Sequence, residues 1–136
     1  MAEAASPLLA EWSSFYVMTG SSAAAFMVSA VLSAPWRSLV HAGAAAALIG
    51  LAGVAYVLRV MHRTRRLTIY TADVEDWAWY TMLPFVAYGA ISASATDLGA
   101  DPVRALFILA AGVVLLIFIG IRNAWDVVTY LAITRR

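Results

Sequence analysis

The chain contains no cysteine. Disulfides, cysteine-based zinc sites, iron–sulfur clusters and thiol catalysis are therefore excluded outright. Lysine is missing too: all nine basic residues are arginine, which reads as genomic composition rather than a chemical demand. Charge is scarce, at 12% of residues, against about 25% in soluble domains. With a net charge of +1 and no basic run interleaved with aromatics, the sequence lacks a nucleic-acid surface. There is no HExxH, no GxSxG and no phosphate-cradling glycine loop, so no enzyme class is signalled.

Metal and cofactor sites are poorly supplied. The paired Glu-x-x-His motifs of two-iron bundles do not occur. Glu11, His62, Glu75 and Asp126 are the one group of candidate ligands, and no metal and no cofactor is expected. The two histidines, His41 and His62, fall on one helix roughly 31 Å apart by rise per residue, so they cannot jointly hold a haem within one chain. A haem held by one histidine, or shared between subunits, stays open.

What the sequence does have is hydrocarbon: 63% of residues are hydrophobic. Four uncharged stretches, Trp12 to Ala34, Ser38 to Leu58, Trp77 to Thr96 and Ala105 to Ile121, are bounded by charged residues. A helix rises about 1.5 Å per residue and a bilayer core is about 30 Å thick, so about 20 apolar residues cross it. The expected fold is all-α, an integral membrane antiparallel four-helix bundle forming one domain over residues 1–136, with approximate spans 12–34, 37–60, 75–96 and 102–123. Glu3 and Glu11 occupy the region where a secretory signal would carry basic residues, so the first span is expected to be retained.

Orientation follows from arginine. Four crossings put both termini and the central loop on one side. That side holds Arg59, Arg63, Arg65, Arg66, Arg135 and Arg136, against Arg37 and Arg104 opposite. Basic loops stay cytoplasmic, which predicts a multi-pass protein of the bacterial inner membrane with both termini in the cytoplasm. Ala34-Pro35 should close the first helix, because a residue before proline avoids the helical region. Asp101-Pro102 should open the fourth, with an acidic cap and proline in the first turn.

Helices associate in lipid through small residues and hydrogen bonds. Small residues four apart are frequent: Gly20 and Ala24, Gly43 and Ala47, Ala46 and Gly50, Gly89 and Ala93, Gly120 and Ala124. The first two helices are expected to meet closely, and an oligomer interface is the other use of such pairs. Pro84 lies within the third span and removes the amide that would bond the Tyr80 carbonyl, predicting a kink and a freed acceptor. Thr19, Ser21 and Ser22 reach a similar depth and could satisfy it.

The densest polar grouping is expected at the cytoplasmic ends of the helices: Glu11, His62, Glu75, Asp76, Arg122, Asn123 and Asp126. Arg122 and Asp126 are spaced i, i+4 on one face. The first reading is a network that fixes how the helices meet; the second is an entrance for an ion or small solute. The spans carry no charge at mid-depth, which lowers the case for a proton-driven transporter. Five Trp and six Tyr, among them Trp77, Trp79 and Tyr80, read as an interfacial belt ahead of a pigment or sterol pocket.

Three stretches, WSSFYVMTGSSAAA from Trp12, EDWAWYTMLPFVAY from Glu75 and IGIRNAWDVVTY from Ile119, resemble uncharacterised small four-span membrane proteins of bacteria. The resemblance covers the first, third and fourth helices and implies four spans with a polar layer on one side; it implies no activity. The expected function is non-enzymatic: an assembly or accessory subunit, embedded in the lipid bilayer, joining a homo-oligomer or larger membrane complex. The alternative is a channel or facilitator for a small solute, entered through the polar layer.

Overall fold

The computed structural model describes residues 5–65 and 77–134, with side-chain positions for 19–62 and 77–133. Four helices account for nearly all of it. They are α1 (Ala5–Ser33), α2 (Leu39–Arg65), α3 (Leu83–Thr96) and α4 (Pro102–Thr134), with a π-helical turn, Ala78–Met82, leading into α3. Among the described residues there is no strand.

The helix ends have local causes. α1 stops one residue short of Ala34-Pro35, and the Trp36 indole Nε1 donates to the Val31 carbonyl at 2.5 Å, sharing that acceptor with the Ala34 amide at 3.2 Å. α4 begins at Pro102, with the Arg104 amide donating to Asp101 Oδ1 at 3.2 Å, an N-cap bond at its usual spacing. Between α3 and α4 the chain turns within five residues, held by the Ala100 and Asp101 amides on the Asp97 carbonyl, both 2.9 Å.

Each helix packs on its two neighbours in a closed ring, α1–α2–α3–α4–α1. The α2–α3 seam is the most extensive and the α1–α2 seam the thinnest. This corrects the expected close meeting of α1 and α2. The small residues of α2 are spent on α3 instead: Gly43 lies against the Ala95 backbone, Gly50 against Ser92 and the Tyr88 carbonyl, and Gly53 against the Tyr88 ring. Those glycines recur at seven- and three-residue steps, which keeps them on one face of α2. A single helix cannot present that stripe to both neighbours at once.

The innermost layer is Val28, Ile91, Leu98, Leu109, Leu116 and Ile119, filled in by Ala42, Ala46, Ala87 and Ala105. Large apolar side chains also cover the outside, led by Phe26 (78% exposed) and Phe107 (75%). Leu39–His62 of α2 and Pro102–Ile133 of α4 are long and apolar enough to cross a membrane, with mean hydropathies of 1.9 and 2.6. Only 17% and 33% of the tested stretches are buried in the bundle, whereas the core helix of a water-soluble protein would be mostly buried. α1 contributes a shorter apolar segment, Thr19–Ser33.

Candidate functional site

Hydroxyl groups divide into two sets. The first is satisfied within its own helix: Ser29 donates to the Ala25 carbonyl at 2.8 Å, Ser33 to Ser29 at 2.7 Å, Ser92 to Tyr88 at 2.9 Å, Ser94 to Ala90 at 2.6 Å and Thr129 to Trp125 at 2.8 Å. Back-bonding of this kind hides a polar group where the surroundings offer it no water. The second set converges inside the bundle. Ser21, Tyr56, Tyr80 and Tyr88 surround, together with Pro84, Val57 and Val60, a void of ≈ 10 Å³. That is room for about one water molecule.

Tyr88 organises this cluster. It projects from α3, rests its ring on Gly53 of α2, and donates its hydroxyl to the Gly20 carbonyl of α1 at 3.3 Å. Ser21, itself buried, lines the same void as this phenol. One side chain thus ties three helices together. Sequence reasoning offered Thr19, Ser21 or Ser22 for the Tyr80 carbonyl; of the three, the structure sets Ser21 on the void that Tyr80 and Tyr88 share. Thr19 is exposed at the mouth of the α1–α2 seam, and Ser22 lines neither the void nor that seam.

The proline acts through a change of register. Upstream of Pro84 the helix widens to a π turn, in which the Leu83 amide reaches back five residues to the Ala78 carbonyl. One more step in that register would need an N–H on Pro84, which has none, so the helix reverts to α at Leu83. The widened turn carries Trp79 and Tyr80 onto α4. There Tyr80 donates to Asp126 Oδ2 at 3.3 Å, and the Arg122 guanidinium lies 5.4 Å from the Trp79 ring centroid. Arg122 Nε also faces Asp126 Oδ2 at 3.6 Å. The predicted i, i+4 pair therefore exists, but its side chains are 43% and 39% exposed, and it ties α4 to the π turn. Trp79 as the second contact of Arg122 escaped the sequence reading, which had assigned it to an aromatic belt.

Asn123 is different. It is 1% exposed, and neither Nδ2 nor Oδ1 has a hydrogen-bond partner among the described residues. Of the remaining polar layer, His62 is exposed on α2, Glu11 lies in α1 in a stretch whose side chains fall outside the description, and Glu75 and Asp76 lie outside the described residues. Among the described residues no three of His, Asp and Glu come together as a metal site would require. The predicted mid-depth tyrosine, Tyr80, is half-buried rather than lying in an outer belt, and Tyr88 is buried; Trp36, Trp77 and Trp125 are exposed.

A second feature opens on the outside. Between α1 and α2 runs a groove of ≈ 510 Å³, lined by Ala23, Ala24, Met27, Leu48, Ile49 and Ala52, with Thr19, Tyr56 and Tyr88 at one end. It shares Tyr56 and Tyr88 with the interior void. No protein-family model matches the chain, nor does any curated protein or solved structure.

Proposed function

We propose that this chain is an integral membrane protein, a four-span bundle with both termini on the cytoplasmic side, that serves as a non-enzymatic assembly or accessory subunit. The observation that carries the membrane placement is the distribution of polarity. Phenylalanines such as Phe26 and Phe107 stand on the outside, while Ser21, Ser94 and Asn123 are buried. Water would penalise that arrangement and hydrocarbon favours it. The self-bonded hydroxyls of Ser29, Ser33 and Thr129, on outward positions, support the same reading.

The subunit role is supported by what is closed and what is open. The interior void takes about one water, too little for a conducting path in this arrangement. On α3, by contrast, a side chain added at Gly89 would meet nothing within 4 Å, so the Gly89 and Ala93 pair is free for another helix to approach. The test is the mass of the detergent-solubilised protein by light scattering, with the composition of whatever co-purifies. A defined oligomer or a stoichiometric partner is expected, and a stable monomer that retains no partner refutes the role. The channel reading requires the Ser21 and Tyr88 cluster to open. Single cysteines at Ser21 and Tyr88, clean probes in a chain without native cysteine, should stay unreactive to water-soluble thiol reagents.

A further inference from the structure

The interior void is too polar to stay empty. Among the described residues its wall takes Ser21 from α1, Tyr56 and Val57 from α2, Tyr80 from the π turn, and Pro84 and Tyr88 from α3. Four of these six carry a hydroxyl, and polar atoms contribute to its surface. Cavities that stay dry are lined by hydrocarbon, whereas a polar one with room for a single molecule takes a water held by about two to four groups.

The hydroxyls gathered here differ from those elsewhere in the bundle. Ser29 and Ser92 spend their protons on carbonyls of their own helices, at 2.8 and 2.9 Å. A phenol stands too far from its own backbone for that, so Tyr88 turns to Gly20 and Tyr80 to Asp126. Both bonds are 3.3 Å, long for an O–H donor to oxygen. A phenol oxygen that donates one proton still accepts others. Pro84 sharpens the demand, because it supplies no N–H and the backbone beside the void brings one donor fewer than an ordinary helical turn. Water can donate to one group and accept from another, joining partners that do not touch.

Size and charge exclude other occupants. A volume of ≈ 10 Å³ admits about one probe-sized molecule, so an organic ligand does not fit. None of the described residues on the wall is charged, so a bare cation would find no carboxylate to offset its desolvation. We propose that the void is a binding site for one ordered water that bridges α1, α2 and α3 and is shut off from bulk water. The joint between these helices is then polar at its centre and held by a molecule that side-chain packing alone does not supply.

X-ray footprinting of the full-length protein in phosphatidylcholine nanodiscs tests this, because radiolysis splits a bound water where it sits and the hydroxyl radical marks its neighbours. Tyr88, only 3% exposed, and Pro84, buried on the same wall, should gain oxygen about tenfold more than Ile91 and Leu109 of the apolar core, after correction for side-chain reactivity. After mixing into heavy-oxygen water, the mark at Tyr88 should take up the isotope at least about tenfold more slowly than that at Tyr130, which is 39% exposed. Val57→Ile adds one methylene at the wall and should cut the marks at Tyr88 and Pro84 about tenfold while leaving Tyr130 as before. Val60→Ile, at another point of the wall, serves if the first variant fails to fold. Marking of Tyr88 no greater than that of Ile91 means a dry void, and marking that survives the substitution means water bound elsewhere; either result overturns the proposal. Isotope uptake at Tyr88 as fast as at Tyr130 means a void open to bulk water, which overturns the closed site and favours the channel reading.

Discussion

Adding one methyl group at Gly53 should destabilise the bundle, and adding the same group at Gly89 should stabilise it. A Cβ built at Gly53 collides with Cγ, Cδ1 and Cε1 of Tyr88. The ring cannot simply swing away, because its hydroxyl is bonded to the Gly20 carbonyl, and yielding would stretch that contact. Overpacking of this kind costs about 1–3 kcal/mol, and weakening a hydrogen bond adds about 0.5–1.5 kcal/mol. Against that, alanine gains up to about 1 kcal/mol over glycine in a helix. The net expectation for Gly53→Ala is a loss of about 1–3 kcal/mol. At Gly89 nothing lies within 4 Å, so Gly89→Ala keeps the propensity gain and should add up to about 1 kcal/mol. Reversible unfolding by denaturing detergent in mixed micelles, followed by Trp fluorescence, measures both. Combining Gly53→Ala with Tyr88→Leu should recover part of the loss, since the shorter side chain leaves the methyl room. If Gly53→Ala matches the parent, or if Leu at 88 rescues nothing, then Tyr88 is not the wedge between α1 and α2.

Three further outcomes follow from the same structure. Asn123→Leu removes a buried amide with no partner among the described residues at nearly constant volume, and should raise stability by about 1–3 kcal/mol in the same unfolding assay; a loss instead would mean that the amide is satisfied in the assembled protein. Asp101→Ala deletes the cap on the Arg104 amide and should cost about 0.5–2 kcal/mol, with increased amide exchange confined to the first turn of α4. Asp126→Ala breaks a pair that is about two-fifths exposed, so its cost should stay below about 1 kcal/mol and shrink further in high salt; a loss above about 3 kcal/mol would place Arg122 in a dry environment.

Two helix boundaries, the end of α1 and the start of α4, were legible because they are written in local chemistry. Proline at 35 and the Asp101-Pro102 pair act on the backbone within a turn, and no distant contact overrides them. The pairing of Arg122 with Asp126 was legible for the same reason, since i, i+4 neighbours meet on any helix. The choice of neighbour was not. Glycines in α2 announce a close approach without saying which helix approaches, and the answer depends on Tyr88, forty-five residues beyond Gly43. The π turn was half legible: Pro84 predicts a disturbed register, but whether the helix kinks or widens is settled by where Trp79 and Tyr80 dock on α4. Asn123 looked like one member of an exposed polar layer, and only its burial separates it from Arg122 beside it.

Tyr88 also explains why the thinnest seam of the ring lies between two consecutive helices. Short connections favour antiparallel neighbours, and α1 and α2 are joined by only five residues, 34–38. Yet a ring inserted from α3 fills the space where their small residues would otherwise meet, and α1 gains its main contact from α4 instead. The bond from Tyr88 to the Gly20 carbonyl holds α1 at that distance: a phenylalanine would fill the same volume but would lose that bond. Hydrogen bonding at position 88 therefore sets a spacing that small-residue packing alone would have closed, and the apolar groove beside it is the geometric consequence.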